Sequence, residues 1–208
     1  MSVSLKKFQL PTLDKLNHIK IDLAKLRAQS NQLSEQFVDV KTANPMLCEN
    51  HVKLVKDVYD NFEQINLTTP SEILPYTASV KERLKRKEEH LYNVPTKEYL
   101  GSYIESIIEQ TKAPASRIRI TKLAAGKTIP FHVDYDVSYA VRCIVPIYGD
   151  SNVINLFKRN NQIEAYNMEN GSAYFLNIAY PHAVVNMSDQ PRIALMFSLD
   201  GQDDLEDM

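Results

Sequence analysis

Four residues stand out as suited to chemistry: His132 and Asp134 in IPFHVDYD, His182 in PHAVVN, and Arg192 in QPRIALMF. Side chains on an extended strand alternate between faces, so His132, Asp134 and Asp136 would share one face, with Val133, Tyr135 and Val137 on the other. A core strand has no use for an imidazole beside carboxylates. That face is either a solvated edge or it holds something. Residues two apart on a strand carry Cβ atoms roughly 6–7 Å apart, close enough for His132 and Asp134 to share one metal ion on a slightly bent strand. His182 comes much later, just after the turn residue Pro181, where a closed β-structure can return it to His132. Two imidazoles and one carboxylate make a facial donor set with open coordination positions, which suits non-haem Fe(II) oxygenase chemistry; structural metal sites are closed. Arg192 follows His182 across the turn material SDQP, and its planar fork suits bidentate contact with a carboxylate.

Each residue also has a plainer reading. A His-x-Asp triplet arises easily by chance, a buried histidine is more often core than ligand, and an arginine after a turn is commonly at the surface. The combination favours the metal reading. Asp136 competes with Asp134 as the acidic donor, and the closer spacing favours Asp134. Tyr135 and Tyr139 are candidate pocket walls or ordinary core aromatics. Asn186 lies on the His182 face of HAVVN.

The elements that must position these residues fall into two regimes. Over residues 1–113 apolar residues recur at helical spacing. Leu13, Leu16, Ile19, Leu23 and Leu26 predict a first helix; HVKLVKDVYDNFEQI and KEYLGSYIESIIEQ predict two more. KERLKRKEEH, whose basic residues are answered by Glu88 and Glu89, reads as a solvated helical face. Over residues 114–200 the pattern becomes short β-rich runs (RIRITKL, VSYAVRCIVPIYG, NVINLFK, IEAYN, GSAYFLNI, HAVVNM, RIALMFSL) separated by turn material. Evenly spaced strands without intervening helices predict a sandwich, barrel or jelly roll, with the N-terminal helices packed on its outside. The expected class is mixed α+β and mainly β, and GQDDLEDM (201–208) reads as a flexible acidic tail.

Composition narrows the function classes. A net charge of −2 over 208 residues gives no basic footprint for nucleic acid. No apolar run approaches the roughly 20 residues needed to span a bilayer. Cys48 and Cys143 are too few for a disulfide framework and lack zinc-finger spacing, so a reducing cytoplasm is the expected address. Oligomeric state is left open.

The motifs RIRITKLAAGKTIPFHVDYD, VRCIVPI, GSAYFLNIAYPHAVVN and PRIALMFSLD resemble the aspartyl/asparaginyl β-hydroxylase-like branch of the Fe(II)/2-oxoglutarate dioxygenases, whose relatives include the proline cis-3-hydroxylases. The resemblance covers about residues 115–200. It implies a double-stranded β-helix (a jelly-roll, cupin-like core), Fe(II) held by His132, Asp134 and His182, and 2-oxoglutarate and O2 as co-substrates. It also implies that Arg192 and Thr121 hold the distal carboxylate of 2-oxoglutarate and that Arg142 lies near a co-substrate or substrate carboxylate. The implied substrate is an aspartyl, asparaginyl or prolyl side chain, free or within a peptide or protein. Two departures from the pattern stand out. Some members have glycine where this chain has Asp134, and the histidine two residues after the family arginine is replaced here by Ile144. A metal-binding cupin of another reaction class and a non-catalytic jelly-roll binding module remain alternatives.

Overall fold

A computed structural model describes residues 5–46 and 62–206. Its N-terminal half holds strands β1 (Leu13–Lys15), β2 (Val38–Asp39), β3 (Phe62–Asn66), β4 (Thr68–Thr69) and β5 (Val94–Pro95). Among them lie short helices α1 (Leu23–Gln32), α2 (Val40–Ala43), α3 (Val80–Lys85), α4 (Glu88–Leu91) and α5 (Tyr103–Ile108). Eight strands follow: β6 (Ala115–Leu123), β7 (Thr128–His132), β8 (Val141–Tyr148), β9 (Val153–Arg159), β10 (Gln162–Tyr166), β11 (Tyr174–Leu176), β12 (His182–Asn186) and β13 (Arg192–Leu199).

These eight strands alternate between two antiparallel sheets. The larger sheet runs β1-β11-β8-β13-β6-β3-β2, and the smaller runs β10-β9-β12-β7. Strands β6, β8, β11 and β13 therefore face β7, β9, β10 and β12, the double-stranded β-helix expected from the sequence. The near-continuous apolar run VRCIVPI follows from this, because β8 is covered on both faces. Val141, Cys143, Val145 and Ile147 pack outward with Leu16, Ile19, Leu26 of α1 and Ile104 and Ile107 of α5. Ile144 packs inward with Phe157, Tyr174, Leu176 and Ala194. Each fully buried aliphatic side chain on the outer face contributes about 1.5–3 kcal/mol, which anchors the helices to the barrel. Burial pushes the Cys143 thiol up, so it is an inert core residue. Cys48 lies outside the described residues.

Several local expectations are corrected. The first helix does not begin at Leu13; Leu13 pairs with Leu176 at the edge of the large sheet, and Leu16 and Ile19 are buried beyond that strand. Helix α1 starts where Asp22 accepts hydrogen bonds from the amides of Ala24 and Lys25. The second helical pattern falls mostly on residues 51–61, outside the described residues, and its end, Phe62–Ile65, is strand, paired with β6. The third begins only at Tyr103, after the left-handed Gly101 and the Ser102 cap. KERLKRKEEH is a solvated face only in part: Lys81, Glu82, Lys85, Arg86 and Lys87 are exposed, but Arg83, Glu88, Glu89 and His90 are buried, and a left-handed Lys87 splits the segment into α3 and α4. The C-terminal residues dock as well. Asp204 is buried, accepting hydrogen bonds from the amides of Lys112 and Ala113 and pairing with His18. Among the described residues no helix is long and apolar enough to cross a membrane.

Candidate active site

Strand β7 ends at His132, and β12 begins at His182. The two residues are direct partners in the antiparallel register, with ring centroids 4.2 Å apart. Asp134 is not on the strand. It lies two residues past the strand end, where its amide donates to the carbonyl of Ile178. That turn carries its carboxylate between the imidazoles, 3.8 Å from His132 Nε2 and 3.9 Å from His182 Nε2. The donor atoms of His132, Asp134 and His182 all lie within 4.8 Å of one another. An ion at roughly 2.1 Å from each donor needs only a modest contraction of that triangle.

Backbone carbonyls set the imidazole tautomers. His132 Nδ1 lies 2.8 Å from the Pro130 carbonyl and His182 Nδ1 lies 3.0 Å from the Tyr180 carbonyl. Each carbonyl can only accept, so Nδ1 carries the proton and Nε2 turns a lone pair to the centre. Burial pushes the His182 pKa down to about 4 against the pull of Asp134, with the charge of His132 lowering it further. His182 is thus a neutral donor at pH 7. Phe157 stacks on its ring at 5.9 Å and fixes its plane. Side-chain exposure falls from 38% at His132 and 36% at Asp134 to 9% at His182, so the centre opens on the His132 side.

Arg192 begins β13, opposite Leu123. It is 4% exposed and, among the described residues, has no carboxylate partner; burial pushes its pKa down to about 10. It lines a recess with Pro146, Asp150, Val153, Met168, Asn170 and Asn155, whose buried Oδ1 has no hydrogen-bond partner. Below, Leu123, Val153 and Val184 close that end with an apolar plug. Thr121 is fully buried on β6, and its hydroxyl donates to the carbonyl of Ala194, two residues from Arg192. A buried guanidinium without an internal carboxylate suits the charged end of a small diacid.

Other candidates have different duties. Asp136 accepts from the amide and hydroxyl of Ser138 and shapes the turn after Asp134, so it does not join the donor triangle. Asn186 ties the β12–β13 turn to the end of β6 through the carbonyls of Leu123, Ala124 and Gln190. Tyr135 and Tyr139 pack against each other, with ring centroids 4.5 Å apart. Arg142 is buried but already engaged, donating to Glu89 Oε1 at 2.7 Å. Glu89, at the foot of α4, also receives Arg117 at 2.6 Å and the Ser198 hydroxyl at 2.8 Å. Sequence reasoning missed this group because helical spacing in a charged segment does not reveal which face is covered. It also missed Asn155, one polar residue in an otherwise apolar run.

A double-stranded β-helix with a His–Asp–His centre at its open end defines an oxygenase-type enzyme. The Aspartyl/Asparaginyl beta-hydroxylase family profile matches residues 81–200, more than half of the chain, and the chain belongs to that family. Among solved structures, the chain is similar to an oxidoreductase of the 2OG-Fe(II) oxygenase family from Burkholderia pseudomallei. The two are 10% identical over 86% of this chain and 91% of that one, with a TM-score of 0.43. A cupin domain from Bordetella pertussis is 15% identical over 44% of this chain and 88% of its own, with a TM-score of 0.34. No curated protein sequence matches this chain.

Proposed function

We propose that the protein is an Fe(II)/2-oxoglutarate-dependent hydroxylase acting on an unactivated C–H bond of an amino-acid side chain of the aspartyl, asparaginyl or prolyl type, free or within a peptide or protein. One observation carries this reading: the same β-structure holds three convergent donors and a buried arginine that, among the described residues, has no ion-pair partner. His132, Asp134 and His182 would hold Fe(II), their Nδ1 protons committed to backbone carbonyls so that Nε2 is free to bind. Arg192 would neutralise the distal carboxylate of 2-oxoglutarate, with Thr121 two positions away on the paired strand β6. When bound, the metal, 2-oxoglutarate and O2 supply oxidative decarboxylation to succinate and CO2 together with insertion of one oxygen atom into the C–H bond.

The remaining duties belong to the chain. Leu123, Val153 and Val184 exclude water from the co-substrate end, which strengthens the Arg192 contact. Phe157 holds the His182 plane, and the Asp136–Ser138 turn holds Asp134 against the imidazoles. Tyr135, next to Asp134 in the chain, would lie with Tyr139 beside the metal centre. No side chain needs to act as a general base.

A metal-binding cupin of another reaction class would need the same three donors but not a buried Arg192 without an internal carboxylate partner. The test is succinate release and O2 consumption with Fe(II), 2-oxoglutarate and a panel of free amino acids and short peptides, with products weighed for one added oxygen. Wild-type protein releases succinate in this assay, and His132→Ala does not. Undiminished turnover by His132→Ala would refute the assignment.

A further inference from the structure

The connection between β11 and β12, Asn177 to Pro181, orients two of the three metal donors through its backbone. The Ile178 carbonyl accepts from the amide of Asp134 at 3.1 Å, and the Tyr180 carbonyl accepts from His182 Nδ1 at 3.0 Å. The Pro181 carbonyl accepts from the amide of Lys158 at 2.8 Å, which fastens the far end of the connection to β9. Carbonyls in a turn aim wherever the turn aims, so Asp134 and His182 are only as fixed as this stretch. It contains no helix or strand of its own. Its near end has to be held by other means.

Asn177 holds it. This residue is 0% exposed and opens the turn, its carbonyl accepting from the amide of Tyr180 at 3.1 Å. Its Nδ2 donates to the carbonyls of Lys7 at 2.8 Å and Pro11 at 3.2 Å, and its backbone amide donates to the carbonyl of Thr12 at 2.9 Å. Both Nδ2 partners can only accept, so the side-chain amide has one orientation. Its Oδ1 is then buried and, among the described residues, without a hydrogen-bond partner. A stranded amide oxygen is costly. An apolar side chain would fill the same space without that cost, but it would strand the two carbonyls and release the turn.

The N-terminal segment that Asn177 grips is anchored elsewhere, so it gives the turn a firm hold. The Leu5 amide donates to Gln202 Oε1 at 2.7 Å, and Gln202 Nε2 donates to the carbonyls of Leu5 at 2.9 Å and Val137 at 3.0 Å. Val137 lies three residues past Asp134, so Gln202 ties the same segment to the turn that carries the carboxylate. Thr12, 1% exposed, donates its hydroxyl to the Glu164 carboxylate on β10. The Thr12 side chain thus fastens the segment to the small sheet, whereas the Asn177 side chain fastens it to the connection that orients the donors.

We propose that Asn177 is a positioning residue of the metal centre, resting on the assignment of His132, Asp134 and His182 as ligands: by clamping the head of the 177–181 connection to residues 7–12, it fixes the two carbonyls that aim Asp134 and His182. Co(II) titration of the full-length, metal-free protein tests it, read by visible d–d absorption with no 2-oxoglutarate or substrate present. Asn177→Ala raises the Co(II) dissociation constant about tenfold, the size typical when a group behind a metal ligand is lost, and changes the shape of the Co(II) spectrum. Asn177→Ser, which keeps a shorter donor and serves if the alanine variant does not fold, raises it about three- to fivefold. Thr12→Val is the control for loosening the same segment. It lowers the urea midpoint of the metal-free protein as Asn177→Ser does, yet leaves the wild-type spectrum and a dissociation constant within about twofold of wild type. An unchanged constant in either Asn177 variant, or an equal rise in Thr12→Val, would make Asn177 a structural tether and overturn the proposal. Wild-type protein that binds no Co(II), or whose binding survives His132→Ala, would instead strike the metal centre itself and this role with it.

Discussion

The two ends of the barrel both bury arginine and treat it in opposite ways. At one end Arg192 stands alone in a recess plugged by Leu123, Val153 and Val184. At the other, Arg117, Arg119 and Arg142 gather around Glu89, which two of them and the Ser198 hydroxyl contact directly. A single unpaired guanidinium can be tolerated until its ligand binds. Three cannot be packed together without an internal carboxylate, because their mutual repulsion adds to the desolvation cost. The difference teaches that Glu89 is a structural counter-ion, whereas the partner of Arg192 is expected to come from solution.

The largest effect that would break this contrast is on stability at the Glu89 end. Replacing Glu89 with Gln keeps the shape and removes the negative charge from three guanidinium groups. We expect a loss of about 3–5 kcal/mol in urea unfolding at neutral pH. A loss under 1 kcal/mol would show that the cluster is not held by charge. Acid should reproduce part of this loss in the wild-type protein. Burial alone would raise the Glu89 pKa, but Arg117, Arg142, Arg119 and the Ser198 hydroxyl hold it well below its ordinary 4.5. With a folded-state pKa below the unfolded one, its stabilisation is complete above about pH 4.5 and is lost as pH falls from there. Glu89→Gln should lack that component, and an identical acid profile in the two proteins would sink the idea.

At the other end the effect is on binding. Arg192→Met should raise the 2-oxoglutarate concentration needed for half-maximal succinate release about tenfold to a hundredfold, the worth of a charge-assisted pair. Its urea midpoint should be unchanged or higher, because no internal partner is left behind. A clear drop in midpoint would place the two ends in the same class. The smallest effect is expected from Thr121→Val, which removes one hydroxyl beside Arg192 and the bond to Ala194. A two- to fivefold rise in the 2-oxoglutarate requirement and a stability loss of about 1 kcal/mol are expected. Titration of succinate release and urea unfolding check both figures.

Strand segments were legible because β-branched and aromatic runs between turn residues are a local signal. VRCIVPI, HAVVN and RIALMFSL all fall in strands. The donor set was legible for a similar reason, since His132 and Asp134 are two residues apart and His182 opens a strand. Their mechanism of approach differed, however: Asp134 reaches the imidazoles from a turn held by Ile178, not from strand alternation. Helix assignments fared worse. The spacing of Leu13, Leu16 and Ile19 marks burial, but Leu13 pairs with β11 at a sheet edge while Leu16 and Ile19 are buried in the loop beyond it.

Periodicity, turn chemistry and short spacings are written in neighbouring residues, and from them followed a sandwich, barrel or jelly roll, the His–Asp–His donor set and the choice of Arg192; the family resemblance narrowed the fold to the jelly roll. Which charges meet across the fold is set by sheet register and by how α4 docks. Those depend on contacts between residues far apart in the chain, such as Glu89 with Arg142 and Ser198. No local pattern encodes such a meeting, so KERLKRKEEH looked like a solvated face until the folded chain buried Glu89 beneath three arginines.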